Sequence, residues 1–300
     1  MMIGIRLFGP TAVEIDGELL PGVAVGRRPR QILEILALSA GMPVGKDRLA
    51  DLLWEGNPPA SYPGTLESYV CLLRRGLGLG SGRQSLLSTT TNGYVLARDG
   101  VDVDLVTFRR LVATDGDASA AETVDRTVKA MLLVTGELLA SEPYAAWAIE
   151  AREVARREVV AACVNAAQLA NGIGDGRRAI GLAHFAIAHD RLCEEAWQHL
   201  MRVHWLSGRR SDALRAYSEL RAAIVEELGE EPGAESRELY LAILRDNPSA
   251  RRDSSAVEGV ELRMLLRLLR QTLDMTPGVK APAQDAELSE VALTVLERSL

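Results

Sequence analysis

The period of the apolar positions changes along this chain, and each change marks a new element. Ile3, Ile5 and Leu7 alternate with other residues, Gly9-Pro10 interrupts the run, and Val13-Glu14-Ile15 resumes it as far as Asp16-Gly17. A period of two ending in an Asp-Gly turn predicts a small antiparallel sheet. Behind Pro29 the period becomes helical: Ile32, Leu33, Leu36, Ala37 and Ala40 share one side, and the run stops at Gly41, which suits a helix C-terminus. Lys46 to Leu53 reads as a second, short helix that buries Leu49, Leu52 and Leu53. The stretch from Trp54 to Gly64 holds three prolines and is expected to be a rigid loop, because proline donates no backbone hydrogen bond and is poorly tolerated inside a helix.

The next segment carries the most information. At 100° per residue Leu66, Val70, Leu73 and Leu77 fall on one stripe of a helix, to pack on the two helices before it. The opposite face then carries Thr65, Ser68, Cys71, Leu72 and Arg75, flanked by Glu67 and Arg74. Leu86-Leu87-Ser88-Thr89 and Tyr94-Val95-Leu96 are short strands, and Asn92-Gly93 between them is a hairpin turn pair. Sheet, three helices and a hairpin in that order predict a winged helix-turn-helix, with the third helix as the one that enters DNA.

From about residue 104 to residue 246 the period is helical throughout, with no strand signal. Leu169, Asn171, Gly174 and Ala179 match Val203, Trp205, Gly208 and Ala213, each pair 34 positions apart. That is the tetratricopeptide period, in which a Gly closes the first helix of a unit and a small Ala admits the second. Trp197, Trp205 and Tyr217 are expected to fill gaps between stacked helices. A polar linker follows at 247–255, and behind it Val260, Leu262, Leu265, Leu266, Leu268, Leu269 and Leu273 form a strongly apolar helix. A last helix holds Leu288, Val291, Leu293, Val295 and Leu296. The fold class is therefore mainly α: a winged helix-turn-helix followed by a TPR-like helical repeat domain. The expected boundaries are 1–100, 101–247 and a C-terminal helical extension over 256–300.

Composition changes this picture in three places. Aromatic residues make up only 4% of a chain that is 47% apolar, which favours helices packed on helices over a sandwich or barrel. The formal charge of −7 argues against a DNA binder until it is divided: residues 1–110 hold 12 Lys/Arg against 11 Asp/Glu, and the rest holds 22 against 30. The acidity belongs to the helical part, although +1 is a weak footprint for binding phosphate. Cys71, Cys163 and Cys193 are too far apart for a metal-ligand spacing or a disulfide framework, so a reduced cytoplasmic protein is expected. No signal sequence and no run of the ~20 apolar residues of a membrane span appears. No phosphate loop, metal cluster or nucleophile motif is visible, and His184 and His189 stand five residues apart, off a common helix face. No catalytic residue, metal or cofactor is expected.

The residues resemble a known family, the Streptomyces antibiotic regulatory protein (SARP) type of transcriptional activator, from about residue 3 to residue 246. Its marks are Ile5-Arg6-Leu7-Phe8-Gly9-Pro10, Pro29-Arg30-Gln31, Arg48-Leu49-Ala50-Asp51-Leu52-Leu53-Trp54 with Pro58-Pro59-Ala60-Ser61, Tyr69-Val70 with Leu73-Arg74-Arg75, and Gly93-Tyr94. In the helical half they are Glu142-Pro143-Tyr144-Ala145-Ala146-Trp147, the segment from Gly208 to Tyr217, and Glu226-Glu227-Leu228-Gly229-Glu230-Glu231-Pro232-Gly233. The resemblance implies an OmpR-type winged helix that reads direct repeats in promoter DNA, then a bacterial transcriptional activator domain that holds it in place and helps it dimerise or engage RNA polymerase. It implies control of an antibiotic or other secondary-metabolite gene cluster.

Carried onto this chain, the DNA-facing candidates are Arg28, Arg30, Lys46, Arg48, Thr65, Ser68, Leu72, Arg74, Arg75 and Thr91. The polymerase-facing loop is marked by Trp54, Glu55, Asn57 and Ser61. The arginines ahead of the first long helix either hold phosphate or are simply solvated. Two positions depart from the family pattern: Leu72 stands where an Arg is usual, and Glu67 replaces a neutral polar residue. Leucine offers a base edge only apolar contact with a thymine methyl, and Glu67 repels phosphate. Leu72 thus leaves open a rotated helix, a changed base preference or lost DNA binding. In the last case the chain is a protein–protein scaffold or regulatory partner on the same fold.

Overall fold

A computed structural model describes residues 2–20, 26–79, 85–113, 116 and 118–246 of the chain. The opening alternation forms β1 (Ile3–Arg6) and β2 (Ala12–Ile15), with Ile3 and Ile5 buried on one face. Asp16 and Gly17, at φ 50° and 88°, turn the chain into β3 (Glu18–Leu19). A fourth strand not expected from the sequence, β7 (Val101–Val103), lies parallel to β1 and completes the order β3-β2-β1-β7. Three residues are too few to show a period, so Val101 and Val103 read equally well as the approach to a helix.

Next come α1 (Arg27–Leu38), β4 (Val44–Gly45), α2 (Lys46–Trp54) and α3 (Tyr62–Gly76). Leu66, Val70, Leu73 and Leu77 are all buried, as their spacing requires. The third helix starts at Tyr62, earlier than the expected end of the proline loop at Gly64. Pro63 lies in the first turn, where a backbone N–H has no helical acceptor and its absence costs little.

The wing consists of β5 (Leu87–Thr89) and β6 (Gly93–Leu96), with β4 on the other edge of β6. Thr90 N–H donates to the Gly93 carbonyl at 2.9 Å, so Thr91 and Asn92 form the tip and Gly93 already belongs to the strand. The glycine is needed for a different reason from the turn expected of Asn92-Gly93: a Cβ at Gly93 would stand 2.0 Å from the Val44 carbonyl oxygen of β4.

The helical part runs α4 (Asp104–Val112), α5 (Ala120–Met131), α6 (Ala146–Gly172), α7 (Gly176–His189), α8 (Glu194–Leu206), α9 (Arg210–Leu228) and α10 (Ala234–Arg245). The 34-residue repeat reappears as repeated backbone geometry. Gly174 and Gly208 take φ 77° and 73°, and the amides after them close back on Ala170 and His204, each at 2.8 Å. A left-handed residue just past a helix is cheapest as glycine. Ala179 and Ala213 are buried where α7 and α9 approach their neighbours. Trp197 and Tyr217 are buried as gap fillers, and Trp205 is half-buried.

The chain divides into two compact units, Met1–Leu239 and Tyr240–Leu300. Of the second, only the close of α10 and Asp246 are described. The expected linker at 247–255 and the extension over 256–300 lie outside the described residues.

Within the first unit the N-terminal sheet is stitched to the helical segment behind it. Leu139 N–H donates to the Leu7 carbonyl at 2.7 Å, Gly9 N–H to Glu137 at 2.9 Å, and Thr135 Oγ1 to the Phe8 carbonyl at 2.7 Å. Buried Asp104, at the start of α4, accepts from the N–H groups of Leu7, Phe8 and Leu105. Burial pushes its carboxyl up and these three donors oppose the rise. The Leu7-Phe8-Gly9-Pro10 match is therefore a docking turn as well as the end of a strand.

Glu34, on the inner side of α1, is fully buried and accepts from Thr11 Oγ1 at 2.6 Å. Burial pushes its carboxyl up to about 7. Between the ordinary value near 4.5 and 7 the folded chain holds this proton more tightly than the unfolded chain. Stability therefore falls as pH rises through that window and is level above it. At about 1.4 kcal/mol per unit the loss is on the order of 3 kcal/mol. Glu34→Gln is expected to remove this slope, so that denaturant titrations at pH 5 and pH 8 differ less in the variant than in the parent. An unchanged slope would show that Glu34 is ionised throughout.

Candidate nucleic-acid interface

The outward face of α3 is open. Glu67, Ser68, Cys71 and Arg75 are exposed, and Thr65 and Leu72 are half-buried at its edges. Among the described residues no helix covers this face: α1 and α2 contact α3, and the buried side is that of Leu66, Val70 and Leu73. The hydroxyls of Thr65 and Ser68 bond back to the carbonyls of Ser61 at 3.2 Å and Gly64 at 3.0 Å, leaving oxygen lone pairs outward. Leu72 is half-buried, but the helix is not rotated to bring this about: the stripe expected inward, Leu66, Val70, Leu73 and Leu77, is the buried one.

The basic candidates separate into committed and free groups. Arg74 Nε donates to the Leu87 carbonyl at 3.0 Å and Nη2 to Thr89 Oγ1 at 2.9 Å, so this side chain braces α3 to the wing. Lys46 pairs with Glu67 at 2.7 Å and lies 5.8 Å from the Tyr94 ring centroid. The hydrogen bond to Glu67 pushes the Lys46 ammonium up, and the pair offsets the unfavourable charge at position 67. Arg48 and Arg75 are exposed and have no ion-pair partner among the described residues. Thr91 is exposed at the wing tip.

Arg28 and Arg30, expected at phosphate, are turned inward. Arg28 donates to the Leu53 carbonyl and to Gln31 Oε1, and its guanidinium lies 5.8 Å from the Trp54 ring centroid. Arg30 bonds Glu142 at 2.6 Å and pairs with Glu34 at 3.4 Å. Both are half-buried, and their donors meet acceptors on nearby elements. Arg83 lies outside the described residues.

Glu142 was quoted in the sequence only as part of a match. Its buried carboxylate gathers Arg27, Arg30 and Gln31 from α1, with Gln31 Nε2 at 2.7 Å, and its carbonyl accepts from Arg152 of α6. Burial raises its pKa, but the donors from Arg30, Arg27 and Gln31 outweigh it and hold the carboxyl below the usual range. Pro29-Arg30-Gln31 and Glu142-Pro143-Tyr144 were both visible in the sequence. Only folding brings them together, 111 residues apart.

The loop between α2 and α3 is a separate exposed feature. Glu55 closes α2 at φ 52° without a glycine, Asn57 and Ser61 are exposed, and Trp54 is half-buried under Arg28.

An open helix face with a wing braced to it, on a domain whose sheet and first helix are joined to a helical repeat, is the architecture of a transcriptional regulator. Residues 21–96 match the C-terminal domain of transcriptional regulatory proteins and residues 103–244 match the bacterial transcriptional activator domain. The regulatory protein DnrI of Streptomyces peucetius is 33% identical over 265 residues, covering 84% of this chain and 96% of DnrI. The transcriptional regulator RedD of Streptomyces coelicolor is 29% identical, covering 82% of this chain and 71% of RedD. The transcriptional regulatory protein EmbR of Mycobacterium tuberculosis is 30% identical over 81% of this chain, which spans 63% of EmbR. A structure of EmbR in complex with a low-affinity phosphopeptide superposes with a TM-score of 0.62 at 25% identity, covering 88% of this chain and 71% of that one. The chain belongs to the Streptomyces antibiotic regulatory protein family. No described helix is long and apolar enough to cross a membrane.

Proposed function

We propose that this chain is a sequence-specific DNA-binding activator of a secondary-metabolite gene cluster, binding promoter repeats and contacting RNA polymerase. The carrying observation is the open outward face of α3 on a winged helix whose inner stripe, Leu66, Val70, Leu73 and Leu77, is buried. Arg75 reaches base edges, with Ser68 and Leu72 beside it and Thr65 at the entry of the helix. Arg48 and Thr91 hold phosphate, and Arg74 and Lys46 position the wing and neutralise Glu67. Arg28 and Arg30 have no part in the interface. Trp54, Glu55, Asn57 and Ser61 lie on the surface offered to polymerase, and the helical repeats serve to hold the winged helix and to meet a second copy of the chain. The protein works in the cytoplasm, without a catalytic site or cofactor.

The test is retention of genomic fragments by the purified chain, followed by titration of a retained fragment against salt. A protein that neutralises phosphates loses affinity linearly on a log–log plot. A second reading, a scaffold on the same fold that no longer reads DNA, is favoured by Glu67 on the groove side and by the internal commitment of Lys46, Arg28 and Arg30. Absence of retention at low salt selects it. Glu67→Gln separates the two further. Releasing Lys46 to a phosphate is expected to tighten binding severalfold and to steepen the salt slope by about one contact, read by fluorescence anisotropy.

A further inference from the structure

The turn carrying Phe8 meets segment 134–138 and the facing parts of α6 and α7 around a cleft of about 310 Å3. That size falls within the roughly 300–1,000 Å3 range of small-molecule sites. None of its lining residues belongs to the DNA-facing set.

The walls specify a chemistry. Two rings line it, Phe8 from the sheet turn and His189 from the end of α7. Both are fixed by a second aromatic: Phe108 meets Phe8 edge-on at 5.5 Å, and Phe185 stacks on His189 at 4.6 Å with 21° between planes. Val134, Ala155 and Val159 supply apolar lining. His189 Nδ1 lies 2.9 Å from the Phe185 carbonyl oxygen, which can only accept, so the hydrogen is on Nδ1. Nε2 of the neutral ring is then an acceptor for a hydroxyl donor. Of the two arginines in the cleft, Arg156 is ion-paired with Glu153 at 2.9 Å and Asp190 at 3.0 Å, and Arg152 donates to the backbone carbonyls of Leu138 and Glu142. An anionic ligand would face the exposed Glu137 carboxylate at the rim, and both arginines of the cleft already spend donors inside the protein.

We propose that this cleft binds an uncharged, flat aromatic molecule bearing a hydroxyl, its rings against Phe8 and His189 and its hydroxyl donating to His189 Nε2. The site is independent of DNA and is read without it. The full chain is titrated calorimetrically with 1,5-dihydroxynaphthalene and, in parallel, with 1-naphthoate. Saturable one-to-one binding of the diol is expected, with naphthoate at least tenfold weaker. Ala188→Trp, at an exposed position on the cleft wall, is expected to weaken the diol at least tenfold. His189→Phe keeps the ring but removes the acceptor, and should weaken it severalfold; it decides the matter if Ala188→Trp melts early. No saturable binding at millimolar diol, equal affinity for naphthoate, or a natively melting Ala188→Trp or His189→Phe that binds like the parent would each overturn the proposal.

Discussion

Arg75→Ala is expected to weaken promoter binding by roughly 1–3 kcal/mol, about 5- to 150-fold, while leaving the fold intact. The argument is one of availability. Among the described basic side chains of α3, Arg74 is spent on Leu87 and Thr89, whereas Arg75 is exposed and unpaired. A guanidinium free to present two parallel donors is the group that distinguishes guanine from the other bases in the major groove. Its stability contribution is limited to the C-terminal dipole of α3, about 0.3–1 kcal/mol, so melting should barely change. Anisotropy titrations at several salt concentrations separate the possibilities. If Arg75 reads a base, affinity falls and a single changed base pair in the operator ceases to matter to the variant. If it touches phosphate, affinity falls uniformly across sequences and the salt slope drops by about one. Unchanged affinity and slope would remove α3 from the interface altogether.

Arg74→Ala should look different, because its contacts lie inside the protein. Loss of the brace frees the wing relative to α3, so affinity falls without the loss of discrimination at one base pair. The paired comparison turns adjacent arginines, indistinguishable by residue type, into different physical roles. Sequence periodicity could place both on or beside the outward face, but it could not show that β5 passes close enough to capture one of them.

That contrast runs through the whole molecule. Local patterns were legible: the buried stripe from Leu66 to Leu77, the first long helix, though it ends at Leu38 rather than running on to Gly41, and the 34-residue offset that becomes two equivalent left-handed glycines at 174 and 208. They were legible because one face of one element, or one repeat, carries its own constraint. Residues whose role depends on a distant partner were not. Val101 and Val103 became a strand because β1 had a free edge, and Gly93 is required by the approach of β4 rather than by the turn beside it. Arg28 and Arg30 sit in a basic run that looks like a phosphate site, and nothing local reveals that Leu53 and Glu142 stand in front of them.

Glu142→Ala is expected to be the most destabilising single change among these residues, by about 3–5 kcal/mol, since removing one partner of a buried pair leaves the others uncompensated. Gln31 is almost fully buried and Arg30 is largely so; both lose their shared acceptor, while exposed Arg27 contributes little. The damage should be local to the seam. Exchange of the Gly9 and Leu139 amides, which cross it, is expected to accelerate more than that of the repeat helices. The pH response has the opposite sign to that of Glu34. Because the Glu142 carboxyl is held below its ordinary range, its stabilisation is present above the unfolded value near 4.5 and is lost as pH falls through the lower, folded one. The parent chain should therefore weaken at both ends: in acid as Glu142 takes up a proton, and toward neutrality as Glu34 gives one up. Glu142→Ala removes the acid limb, and it also leaves Arg30 free to turn fully onto Glu34, which would lower that group's pKa and flatten the second limb too. A double variant with Glu34→Gln is then expected to be non-additive by more than about 0.5 kcal/mol, the signature of groups that share a partner. Simple additivity, or a destabilisation below about 1 kcal/mol with unchanged seam exchange, would show that the winged helix is held to the repeats by the bonds around Leu7, Phe8 and Gly9 rather than by Glu142.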